Sequence, residues 1–279
     1  MSTMSAHASD IAALRRRLSV LEGGVGAAHG VTSSGHGAID AALGGGLARG
    51  ALHEVFAAGA DAGPAAGFAI ALALRAAGER PVLWVRQDFS GAEAGGLYAP
   101  GLFEMGLAPE RLILVQAHDG RAVLRAAEEG ARCAPLGAVL IEPWGEPRAL
   151  DLTATRRLAL AAETSGALLI MLRMAASPAP SAAATRWEVR AAPSAPLAAN
   201  APGYPSFAVT LARRRAGAGE KTWLVEWDRD RREFRTPGAA SAASTGTPLS
   251  GGVVPVPADG PSEAAMPEIS GSGARRRAV

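Results

Sequence analysis

Residues 52–78 read LHEVFAAGADAGPAAGFAIALALRAAG. A short apolar run (Leu52, Val55, Phe56) enters a loop with glycines at Gly59, Gly63 and Gly67, and an apolar helix over 67–78 follows. That is the strand, loop and helix order of a phosphate-binding loop. A working loop of the form G-x-x-x-x-G-K-[ST] needs its lysine on the terminal phosphates and its hydroxyl on Mg²⁺, because backbone amides alone leave most of the charge of a triphosphate uncompensated. Here Gly67 is followed by Phe68 and Ala69, and the only lysine of the chain is Lys221. The outline therefore predicts a nucleotide-binding fold whose catalyst is missing. An anion held by backbone amides alone at the helix N-terminus is the alternative reading of the same glycines.

Outward from this stretch, apolar runs of strand length recur at 81–85 (PVLWV), 112–116 (LILVQ), 137–141 (GAVLI) and 167–171 (ALLIM), with helical stretches at 97–105, 120–133 and 150–165 between them. Continuous apolar strands alternating with helices predict an α/β fold, a mostly parallel sheet covered by helices on both faces. After a Ser/Pro/Ala loop, FAVTLARRR (207–215) and TWLVEWDRD (222–230) alternate in polarity around AGAGEK and read as a C-terminal antiparallel hairpin. Three parts are expected. Residues 1–34 form an amphipathic helix, with Ile11, Leu14, Leu18 and Leu21 on one face, plus a glycine-rich linker. Residues 35–236 form the α/β domain, and 237–279 form a disordered tail rich in Gly, Pro, Ser and Ala.

The 279 residues carry 28 Lys and Arg against 26 Asp and Glu. An arginine excess of this kind fits a GC-rich coding background as well as phosphate binding, so the charge by itself says little about nucleic acid. A single cysteine, Cys133, excludes an internal disulfide, and five scattered histidines lack ligand spacing, so neither a metal nor a cofactor is expected. No apolar run reaches membrane-spanning length, and a cytoplasmic protein is expected. His53 and Cys133 are read as core residues.

The stretch GHGAIDAALGGGLARGALHEVF (35–56) resembles the segment that leads into the phosphate loop of RecA-family recombinases, and the order of elements resembles that fold. More closely, residues 35–234 resemble the ImuA family, RecA-like members of bacterial inducible mutagenesis cassettes. The marks are IDAALGGGLARGALHEVF, the loop without Gly-Lys-Thr, the WVRQ end of the second strand, a strand ending in Glu-Pro-Trp, and the hairpin from FAVTLARRR to WLVEWD. The resemblance implies a RecA-like fold and a noncatalytic accessory role in translesion synthesis after DNA damage, the SOS response. It also implies the partners ImuB and an error-prone polymerase of the replicative type, with RecA a further candidate and DNA reached through the complex.

By position, Glu142 is the relic of the Mg²⁺-positioning acid and is expected at an exposed strand end, while Gln87 and Asp88 stand near the place of the catalytic glutamate. The loops that bind DNA in RecA relatives correspond to 143–150 and 175–185, and neither contains the basic lining that phosphates require. Candidate partner or DNA contacts are Arg213, Arg214, Arg215, Trp187, Leu14 and Leu18; Trp187 reads either as a base-stacking platform or as packing. Two other functions compete: an ATP-dependent DNA-binding protein with an atypical phosphate loop, and a SulA-type inhibitor of cell division.

Overall fold

The computed structural model describes residues 29–58, 62–197, 199, 201–215 and 219–238. Gly59, the helix proposed over 10–22 with Leu14 and Leu18, and nearly all of the tail lie outside them.

The chain opens with a short strand β1 (Val31–Thr32), helix α1 (Gly37–Leu43) and β2 (Leu47–Ala48), which pairs antiparallel with β1. His36 caps α1 by accepting the Ile39 N–H, and three consecutive glycines, Gly44, Gly45 and Gly46, leave the helix at φ of 76°, 120° and 141°. A side chain at any of the three would be strained, and at Gly46 it would also collide with the Thr32 carbonyl. The GGG signature is thus a backbone requirement that turns the chain into β3 (Ala51–Ala57).

After β3 come α2 (Ala62–Ala77), β4 (Val82–Gln87), α3 (Asp88–Ala94), α4 (Ala99–Met105), β5 (Leu112–Ala117) and α5 (Gly120–Arg132). The remaining elements are β6 (Ala138–Glu142), α6 (Leu152–Ser165), β7 (Leu168–Arg173), β8 (Thr185–Ala191), β9 (Ser206–Arg214), β10 (Lys221–Asp228) and β11 (Glu233–Arg235). They build a nine-stranded sheet in the order β11-β10-β9-β8-β3-β7-β6-β4-β5. From β8 to β5 every pairing is parallel; β9, β10 and β11 extend the sheet antiparallel. The expected parallel sheet and C-terminal hairpin are present. Helix α3 and strand β11 were not anticipated, because neither carries a long periodic pattern.

Successive residues of each strand face opposite layers. Trp84, Leu140 and Ile170 point to the α2 side, where they join Phe68, Trp187 and Trp227, whereas Val85, Ile141 and Met171 meet Val123, Leu124 and Leu158 of α5 and α6. Helix α2 is buried along most of its length, which explains why 67–78 read as apolar throughout rather than amphipathic. Close packing of this helix on the sheet depends on Gly137, where a Cβ would collide with the Ala77 backbone.

His53 is fully buried in β3, as expected. Its Nε2–H must donate to the Ala48 carbonyl at 2.9 Å, which leaves Nδ1 to accept the Thr185 hydroxyl at 2.7 Å, while Thr185 Oγ1 accepts the Trp187 indole N–H at 2.8 Å. This chain of bonds requires neutral imidazole, and burial pushes His53 down to about 4. Cys133 is a correction: it follows α5 at the helix C-cap and is exposed.

Two measurements check these assignments. Gly137→Ala should lower unfolding stability by about 1–3 kcal/mol in urea, the ordinary cost of overpacking. His53 is protonated in the unfolded chain near 6.5 but not in the fold until about 4. Its contribution is therefore complete above pH 6.5 and should be lost at about 1.4 kcal/mol per pH unit as pH falls through that window. Urea titrations at neutral and mildly acid pH should show this slope, and His53→Gln should flatten it.

Candidate functional site

In a parallel sheet, ligands bind beyond the carboxyl ends of the strands. At that edge lies a cleft of about 280 Å³ between the first turns of α2, the ends of β4 and β6, and the segment running into α4. Its walls are mainly apolar, with Ile70, Trp84, Leu97, Leu102, Met105 and Met174, and its polar floor is Arg86 and Glu142.

Glu142 ends β6 and Arg86 lies opposite it in β4, one register position of the parallel pair. Arg86 Nε donates to Glu142 Oε1 at 2.9 Å, and Trp84 Nε1–H donates to Oε2 at 2.9 Å, so both carboxylate oxygens are occupied. Arg86 Nη2 is tied down as well, bonding the carbonyls of Ser90 at 3.1 Å and Gly95 at 2.7 Å. Glu142 is 2 % exposed, which corrects the expectation of a surface carboxylate: the strand end is roofed by the backbone that Arg86 draws down. Burial pushes the Glu142 carboxyl up, opposed by its bonds to Arg86 and Trp84. A guanidinium therefore stands beside the carboxylate where a metal ion would.

The glycines do not form a described loop. Helix α2 starts at Ala62, so Gly63 and Gly67 are helical residues, and a Cβ on Gly67 would meet the Phe207 ring at 3.3 Å. Pro64 in the first turn supplies no N–H to an anion. Phe68, at the place of the lysine, is 1 % exposed and turned away into an aromatic cluster, with ring centroids at 5.7 Å from Trp187 and 5.1 Å from Phe234. Gln87 is engaged elsewhere, accepting the Trp144 N–H at 3.0 Å, and Asp88 opens α3 in solvent. The described residues at this place do not fit a magnesium nucleotide.

Three other candidates are taken up by the core or by neighbouring segments. Trp187 is fully enclosed in the core, so no base can stack on it, because alternation in β8 turns it toward α2. Arg213 bonds the carbonyls of Ser181 at 3.1 Å and Ala183 at 2.7 Å, and Arg214 bonds that of Ala42 at 2.9 Å. Both side chains hold neighbouring segments to the sheet, and within the triplet only Arg215 is exposed.

A second buried ion cluster had no counterpart in the sequence reading. Glu54 of β3 is 0 % exposed. Its Oε2 accepts Arg186 Nε at 3.0 Å, Arg186 Nη2 at 2.9 Å and the Ser181 hydroxyl at 2.9 Å, and Arg173 Nη1 stands 4.0 Å from Oε1. The loop over 175–185 therefore has basic groups beneath it, supplied by strands rather than by its own residues. The available signal was an arginine closing an apolar strand, in VLWVRQ and again in LLIMLR.

Comparison with known proteins agrees with this architecture. No family profile matches the chain. Protein ImuA of Caulobacter vibrioides, in strain NA1000 and in strain CB 15, is 34 % identical over 204 residues, which cover 67 % of this chain and 80 % of the relative. Among solved structures, that of the RadB recombinase superposes with a TM-score of 0.51 at 16 % identity, covering 74 % of this chain and 99 % of the other. That likeness establishes a RecA-like fold.

Removing one partner of a buried ion pair strands the other's charge. Arg86→Met should cost about 3–5 kcal/mol in urea unfolding, and Arg86→Met combined with Glu142→Leu should recover most of that loss. A double variant as unstable as the single one would contradict the pairing.

Proposed function

The chain belongs to the ImuA family, and from that premise we propose that it is a noncatalytic RecA-like accessory protein of the damage-inducible mutagenesis machinery. It works through protein contacts with ImuB and with an error-prone polymerase of the replicative type, and RecA is a further candidate. The observation that carries the reading is the Arg86–Glu142 pair. An ATPase of this fold uses the acid on β6 to hold Mg²⁺ and its water. Here that acid is neutralised by an arginine of the same chain, and the position of the phosphate lysine is occupied by a core phenylalanine. Both observations support a chain that does not turn over nucleotide.

Large apolar side chains in solvent support contact with proteins. Tyr98 and Phe103, at α4, are 72 % and 64 % exposed, and Ile113 and Leu114 of the edge strand β5 are 47 % and 43 % exposed. Unpaired edge strands of this kind are usually covered or charged, and aromatic side chains dominate the energetics of protein interfaces. No described helix is long and apolar enough to cross a membrane.

The test has two arms. A fluorescent ATP analogue with Mg²⁺ should show no saturable binding up to millimolar concentration and should leave the melting temperature unchanged, since a ligand selective for the native state must raise it. Co-expressed ImuB should co-purify with the chain, FtsZ should not, and Phe103→Asp should weaken capture of ImuB about tenfold or more without changing the melting temperature. Saturable Mg²⁺-dependent nucleotide binding would favour the ATP-dependent alternative, and capture of FtsZ would favour the cell-division inhibitor.

A further inference from the structure

Arg173 closes β7 and is 5 % exposed, yet its side chain makes no hydrogen bond among the described residues. Its contacts are the Glu54 carboxylate at 4.0 Å and the Phe56 ring, whose centroid lies 5.3 Å from its guanidinium carbon. Its Nε is enclosed with no acceptor. A guanidinium carries five N–H donors, and a buried one ordinarily has most of them satisfied. Arg86, equally buried, makes three bonds.

Two further arginines adjoin Arg173. Arg186 lies 5.4 Å from the same Phe56 centroid and shares Glu54 with it. Arg213 reaches under the same segment, bonding the Ser181 and Ala183 carbonyls, and its Nε too is enclosed without an acceptor. Two carboxylates face these three cations. Glu54 is fully buried, and Glu146 draws on Arg173 from a position where it also accepts the Ser177 N–H at 2.8 Å. The cluster keeps a positive excess and unspent donors, and it lies over the middle of β3, the end of β7 and the start of β8, on the layer opposite α2. Desolvation holds both Arg173 and Arg213 below the ordinary guanidinium range, the cost that a bound anion would relieve.

We propose that Arg173, Arg186 and Arg213 form a binding site for a phosphate oxyanion beneath the segment 174–184. Planar guanidinium forks match phosphate oxygens, and a tetrahedral anion can accept from more than one fork at once. The phosphate comes either free in solution or as the phosphodiester of a single-stranded nucleic acid. The site is distinct from the cleft over Glu142, which faces the α2 layer, and it stands whether or not that cleft has kept any nucleotide.

The full chain is titrated with low-millimolar inorganic phosphate against sodium chloride at matched ionic strength, with melting temperature as the readout. A labelled oligothymidylate is titrated in parallel by fluorescence anisotropy. Phosphate should raise the melting temperature saturably where chloride does not. Arg173→Gln and Arg213→Gln should each weaken phosphate about tenfold or more, the loss expected for a charge-assisted bond, while Arg125→Gln on the exposed face of α5 should bind as the parent does. If oligothymidylate binding falls in the same two variants, the ligand is a nucleic-acid backbone; if only inorganic phosphate responds, it is a free phosphate. Should Arg173→Gln fail to fold, Arg213→Gln and the arginine Nε–H resonances of the parent protein, followed through the phosphate titration, report on the same site. Equal melting temperatures in phosphate and chloride would overturn the proposal, as would variants that bind phosphate like the parent.

Discussion

The Arg86–Glu142 pair is the interaction around which the nucleotide edge of this fold is organised. A carboxylate at the end of a buried parallel strand must be compensated, because an isolated charge at that depth costs several kcal/mol, of order 3 or more, even after relaxation. RecA-like ATPases compensate it with a hydrated metal ion. This chain compensates it with its own guanidinium, and the other donors of Arg86 then fix the carbonyls of Ser90 and Gly95. The segment from α3 into α4 is held down over the strand ends as a result. The same guanidinium thus both neutralises the strand-end carboxylate and shapes the cleft.

Aromatic packing governs the opposite side of α2. With Phe68 turned into the core, the helix is joined to the antiparallel half of the sheet by an aromatic cluster of Phe68, Trp187, Phe207, Trp227 and Phe234. A lysine at Phe68 could not be accommodated there without burying an unpaired charge. Beginning α2 at Ala62 also takes Gly63 and Gly67 into the helix, where Gly67 serves the close approach of Phe207. Of the two, only Gly67 answers to packing, since a side chain at Gly63 would meet nothing.

Much of the fold was legible because its signals are local. PVLWV, GAVLI and ALLIM are continuous apolar runs, the mark of strands buried on both faces, and the hairpin carried alternating polarity around a glycine-containing turn. Strand β11 and helix α3 were illegible because they are short and owe their place to partners, Glu226 and Asp228 for Arg235 and Arg86 for the Ser90 carbonyl of α3. Trp187 illustrates the limit at a single residue. The sequence left packing and base stacking both open for it, and only the orientation of β8 against α2 decided that it is enclosed.

The sequence by itself determined the order of strands and helices, the absence of a lysine and hydroxyl after Gly67, and the family, since these depend on residue identity along the chain. The tertiary structure alone decided which partners the buried charges meet. Arg86 meets Glu142 from another strand 56 residues away, and Glu54 collects Arg186 and Arg173 across its two neighbouring strands. Strand register brings such charges together, and register is set by the packing of the whole sheet rather than by any local pattern.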